Sequence, residues 1–124
     1  TGMTGYEDFL KIYTPLQIKA KREFYNYEAK YTEGATEFII PPEVDDRIKE
    51  RILKGSEDLF RKFYVKDFAR IDCIVKGDDI YYHDLNTVPG MTALSDLPQS
   101  AAYDGTDYDD LVEIIVKGAM KRHE

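Results

Sequence analysis

At 124 residues the chain is of single-domain size and can bury a core of its own. Its 43% hydrophobic and 33% charged residues are those of a globular protein, and no apolar run reaches membrane-spanning length. A formal charge of −7 argues against nucleic acid or an anionic membrane as partner, and a single cysteine, Cys73, excludes an intrachain disulfide and a thiolate zinc cluster.

The first fourteen residues lack the basic-then-apolar layout of a secretory signal, which points to a cytoplasmic location. They read as a short helix or irregular lead-in ended by Pro15. Leu16, Ile18 and Ala20 then alternate with Gln17, Lys19 and Lys21, the pattern of a half-buried strand. Residues 22–36 fit neither the helical nor the strand period and read as a long loop rich in tyrosine, a surface loop or a functional one.

Phe38-Ile39-Ile40 forms a short strand that stops at Pro41-Pro42. From Val44 onward Ile48, Ile52, Leu59, Phe60 and Phe63 recur at helical spacing behind Glu43, Asp45 and Asp46, whose charge suits a helix start. The spacing predicts a helix over residues 45–63, with Gly55 a weak point inside it.

Next come Ala69-Arg70-Ile71-Asp72-Cys73-Ile74-Val75, a Lys76-Gly77-Asp78-Asp79 turn, and Ile80-Tyr81-Tyr82-His83-Asp84-Leu85-Asn86. Two β-branched, aromatic-rich runs around a glycine turn predict an antiparallel hairpin. With an odd number of residues in the turn, such as 77–79, Asp72 faces Asp84 and Arg70 faces Asn86, with Tyr82 on the same face. Carboxylates opposed across a ladder repel unless a cation or donor lies between them. Their oxygens suit magnesium or manganese, and an adjacent arginine suits a phosphate or oxyanion. A solvated hairpin face remains open as an alternative. Cys73 and His83 fall on the other face, Cys73 reading as a small buried hydrophobe and His83 as a packing or hydrogen-bonding residue.

Beyond Asn86, Pro89-Gly90 forms a turn whose N–H groups can face an anion. Ser95 or Asp96 caps a short helix with Pro98 in its first turn. Thr106-Asp107-Tyr108-Asp109 resembles a capping box, and the last helix carries a stripe of Tyr108, Leu111, Val112, Ile115 and Ala119.

Two of these stretches together resemble the D-alanine–D-alanine ligases of the ATP-grasp superfamily. One is Arg-Ile-Asp (70–72) followed by Asp-Leu-Asn-Thr-Val-Pro-Gly-Met-Thr (84–92); the other is Phe-Tyr-Asn-Tyr-Glu-Ala-Lys-Tyr (24–31). The resemblance implies a mobile active-site loop at residues 22–36, in which Lys30 reaches the ATP phosphates and Tyr31 latches the loop to the substrate-binding part. The Tyr-Glu-Ala-Lys-Tyr pattern, absent from related depsipeptide ligases, favours dipeptide formation. Asp72, Asp84 and Asn86 would hold two magnesium or manganese ions, Arg70 and the Gly90 N–H would meet an oxyanion, and Ser95 would receive the carboxylate of the second D-alanine. The implied partners are ATP, D-alanine and the rest of the ligase, with a homodimer among the assemblies the family allows.

The implied fold is α+β, the C-terminal part of an ATP-grasp domain: an antiparallel sheet with helices on one face and the Arg70, Asp72, Asp84 and Asn86 face open. The N-terminal and central domains of such a ligase are not in this chain. Two residues depart from the family pattern. Asp84 stands where the family has glutamate, shorter by one methylene or roughly 1.5 Å. Asp96 stands where an apolar residue is usual, and its charge would repel a substrate carboxylate. These departures give the alternative reading, a non-catalytic remnant or interaction module.

Overall fold

The computed structural model describes residues 1–20 and 36–123. Four antiparallel strands form the main sheet in the order β2-β1-β5-β6: β1 is Gly2–Thr4, β2 Lys11–Ile12, β5 Phe68–Lys76 and β6 Asp79–Asn86. A second sheet pairs β3 (Gln17–Ala20) with β4 (Thr36–Ile39). Among the described residues three α-helices accompany the sheets: α1 (Asp46–Lys62), α2 (Asp96–Tyr103) and α3 (Tyr108–Arg122).

The lead-in is therefore neither an α-helix nor irregular. Its two strands are only three and two residues long, bracketing a 3₁₀ turn at Glu7–Phe9, and strands so short leave no readable period. Gly5 makes the turn possible at φ 99°, where a side chain would strike the Phe9 carbonyl. Met3 is fully buried, and β1 takes a central place in the sheet.

α1 forms where its spacing predicts. Asp45 caps it, its carboxylate accepting the Ile48 N–H at 2.8 Å. Ile48, Ile52, Ser56 and Phe60, four residues apart, are its buried line. Phe63 is exposed, because the helix has already closed on the Leu59 carbonyl at that position. Removing the cap by Asp45→Ala is expected to cost about 1 kcal/mol, read as a lower urea midpoint with unchanged slope.

Two cores lie on opposite faces of the sheet. Met3, Ala69 and Ile71 point toward α1 and meet Phe60 and Val65. Phe68 points the other way, toward Tyr13, Leu97, Ala101 and Leu111, the core made with α2 and α3. The expectation of helices on one face is thus corrected within an α+β fold: Phe68 and Ala69 are both apolar, so both faces of β5 are covered at its start. Past that point the even-numbered face carries Arg70 and Asp72.

α3 begins one residue later than its capping box suggested. Asp107 is the cap, accepting the Asp110 N–H at 2.8 Å, while the Thr106 hydroxyl is buried and accepts from Lys11. Of the expected stripe only Leu111 is fully buried; Tyr108 and Val112 are exposed, lining an apolar groove with Phe68, Met91, Ile115 and Val116. Arg122 pairs with Asp67, tying the helix end to the loop before β5.

Candidate active site

The β5–β6 hairpin pairs Asp72 with Asp84 and Arg70 with Asn86, so all four side chains share one face. The route to that register differs from the expected one. The turn holds two residues, Gly77 and Asp78, with Gly77 at φ 62°, as a first central position of a tight hairpin turn requires. That even count alone would oppose Asp72 with His83. A bulge between Asp72 and Cys73 on one side and Tyr82 and Asp84 on the other takes up His83 as an extra residue, and the register recovers.

The same bulge moves Tyr82 to the opposite face from Asp84 and Asn86, against expectation. Tyr82 pairs with Cys73, packs against the α1 core, and donates its hydroxyl to the Ile52 carbonyl at 3.1 Å. Cys73 is half-buried on that face, and burial pushes its thiol pKa up, which disfavours a thiolate. His83 is exposed at the bulge.

Arg70 is the buried centre of the open face, 8% exposed. Its Nε donates to Asp72 Oδ1 at 2.8 Å and its Nη2 to Asp72 Oδ2 at 2.9 Å, a two-pronged pairing that fixes the guanidinium plane. Asp96 Oδ2 also lies 3.8 Å from the same Nε. Burial disfavours the charged guanidinium, but the bonds and charge of Asp72, with the charges of Asp96 and Asp84, outweigh it and hold the Arg70 pKa above its ordinary value.

At the far end of the face the Asn86 Oδ1 accepts the Val88 N–H at 3.0 Å and opens the Pro89-Gly90 turn. Gly90 lies against Ser95: a β-carbon on Gly90 would sit 2.8 Å from the Ser95 Oγ. Ser95 occupies the N-cap position of α2, yet its hydroxyl accepts the Thr92 N–H at 3.0 Å rather than a helix N–H. Arg70, Asp72, Asp84, Asn86, Gly90 and Ser95 thus lie along one hairpin face and the turn that follows it. Lys30 and Tyr31 lie outside the described residues.

Among the described residues no group of three or more His, Cys, Asp or Glu side chains could hold a metal ion. The oxygen set of Asp72, Asp84 and Asn86 fits a hard divalent cation that shares its coordination with water and phosphate. Asp72 spends one lone pair per oxygen on Arg70 and keeps others, and Asp84 is exposed.

The sequence missed Gly2 and the place of Asp96. Gly2 pairs with Arg70 on the neighbouring strand, and a β-carbon there would meet Leu97 Cδ1 at 2.5 Å. Without that carbon the fully buried Leu97 settles onto β1 and brings Asp96 beside Arg70. Only the cross-strand pairing of a glycine with an arginine could have signalled it.

The chain belongs to the D-ala D-ala ligase C-terminus family, which matches residues 2–117. It is 47% identical over 107 residues to the D-alanine–D-alanine ligase of Fervidobacterium nodosum, covering 86% of this chain and 34% of that protein. It is 42% identical over 118 residues to the ligase of Thermotoga maritima, covering 92% and 38%. The crystal structure of the Bacillus anthracis D-alanine–D-alanine ligase complexed with ATP superposes with a TM-score of 0.73 at 30% identity, over 97% of this chain and 39% of that one. The chain therefore spans about a third of the length of the curated relatives it matches. Among the described residues no helix is long and apolar enough to cross a membrane.

Proposed function

We propose that this chain is the C-terminal catalytic part of a D-alanine–D-alanine ligase, acting with the N-terminal and central domains of such an enzyme. The reaction joins two D-alanines for peptidoglycan precursor synthesis: ATP phosphorylates the carboxylate of one, and the amine of the other displaces the phosphate. The observation that carries this reading is the convergence of Arg70, Asp72, Asp84 and Asn86 on one open face in a chain of this family.

Asp72, Asp84 and Asn86 would hold magnesium or manganese, which when bound spreads the charge of the transferring phosphoryl group. Arg70, already held flat by Asp72, presents fixed donors to the negative oxygen that develops as the amine attacks, and the Gly90 N–H shares that charge. Ser95, beside Gly90, receives the carboxylate of the second D-alanine. Lys30 binds the ATP phosphates and Tyr31 latches its loop to the substrate-binding part of the enzyme. A cytoplasmic enzyme without nucleic acid or membrane partners completes the reading.

The test is phosphate release from MgATP, with and without D-alanine, using the chain joined to its upstream coding region. D-alanine-dependent release is expected, and Asp84→Asn should reduce it about a hundredfold or more, matching the several kcal/mol that a metal-held charge supplies. Absence of D-alanine-dependent turnover would overturn the reading in favour of a non-catalytic remnant.

A further inference from the structure

Asp96 was expected to present a bare negative charge to an incoming carboxylate. The fold sets that charge beside Arg70. Asp72 takes two of the guanidinium N–H groups, and Asp96 Oδ2 forms an ion pair 3.8 Å from the same Nε. The side chains of Arg70 and Asp96 are only 10% and 17% exposed, so water screens their attraction weakly. Asp96 is also held in place: it is the first residue of α2, where the helix dipole favours an acid, and its neighbour Leu97 is fully buried over Gly2.

Asp72 has two demands on it. It fixes Arg70, and on the proposed reading of the site it also ligates a divalent cation. A cation drawing electron density from Asp72 weakens the grip on Arg70, and a buried arginine with one partner would compete with the metal for that carboxylate. We propose that Asp96 is a second anchor for Arg70, holding the guanidinium in place while Asp72 is engaged by the cation. Asp96 is a positioning residue in this scheme and touches neither metal nor substrate. The inference rests on the metal role given above to Asp72 and Asp84.

The test is Mn2+ titration of the chain joined to its upstream coding region, followed by water-proton relaxation, on a double-mutant cycle of Asp96→Asn and Arg70→Ala. Asp96→Asn is expected to weaken Mn2+ binding about tenfold in the native background. Arg70→Ala should strengthen binding, because Asp72 is released and a positive charge is gone. Asp96→Asn on top of Arg70→Ala should then change affinity by less than about threefold, the residue of plain charge loss. Equal weakening in both backgrounds, or none in the native one, overturns the proposal.

If either variant fails to fold, Asp96→Ser and Arg70→Gln complete the same cycle. The nitrogen-15 signal of the Arg70 Nε–H gives a second readout. Under saturating Mg2+ it should stay slow to exchange in the native chain and become fast in Asp96→Asn; slow exchange in both counts against the anchor. Failure of the native chain to take up Mn2+ overturns this inference with the metal reading. The expected coupling, in a ligase without D-alanine turnover, supports the anchor and counts against the ligase reading alone.

Discussion

Gly55→Ala is expected to destabilise the protein by about 2 kcal/mol, although helix propensity alone favours alanine by about 1 kcal/mol. Gly55 lies inside α1 and reads in the sequence as a flaw. In the fold it is the floor of a slot for Tyr82: a β-carbon there would lie 2.0 Å from the Tyr82 Oη and 2.6 Å from its Cζ. The ring cannot simply retreat, because its hydroxyl is bonded to the Ile52 carbonyl and its body packs against the Phe60 and Ile71 core. Overpacking costs about 1–3 kcal/mol and the displaced hydrogen bond about 1 kcal/mol more, which outweighs the gain in propensity. The melting temperature should fall by roughly 6–10 °C. The sign is the test. In a Tyr82→Ala background the slot is empty, and Gly55→Ala should become stabilising by about 1 kcal/mol. A stabilising effect in the native background would show that Tyr82 does not hold α1 against the sheet.

The glycine also shows why some of the fold was legible and some was not. Long periodic elements declared themselves: α1 through Ile48, Ile52 and Phe60, and the hairpin through β-branched runs around Gly77. What the sequence lacked was information carried by pairs of residues. The facing of Asp72 and Asp84 was expected from an odd turn, yet it arises from an even turn corrected by a bulge at His83. Two errors of parity cancel for Asp84 and Asn86, which lie beyond the bulge, and do not cancel for Tyr82, which lies before it. Helix position failed for a related reason: Phe68 and Ala69 are both apolar, so their order does not reveal which face receives which helix. Asp96 became an ion-pair partner only because Gly2, 94 positions earlier, leaves room for Leu97.

Arg70→Lys is expected to leave the fold nearly intact and to lower turnover of the joined ligase by about 10²–10³-fold. Lysine keeps a positive charge beside Asp72 and Asp96, so the charge of the face is unchanged. It cannot reproduce the two N–H groups that Arg70 places 2.8 and 2.9 Å from Asp72, and with them goes the fixed plane aimed at the reacting oxygen. Arg70→Ala should behave differently. It removes the buried guanidinium that holds both oxygens of the half-buried Asp72, and breaking such a pair costs about 3 kcal/mol, so stability and turnover fall together. The comparison separates two roles for one residue. A donor needed only when charge develops on the attacked carbon's oxygen lowers kcat and leaves the KM for D-alanine unchanged. If Arg70→Lys instead raises KM at constant kcat, or loses as much stability as Arg70→Ala, then Arg70 is a strut for the acidic face, and the oxyanion must be met by the Gly90 turn.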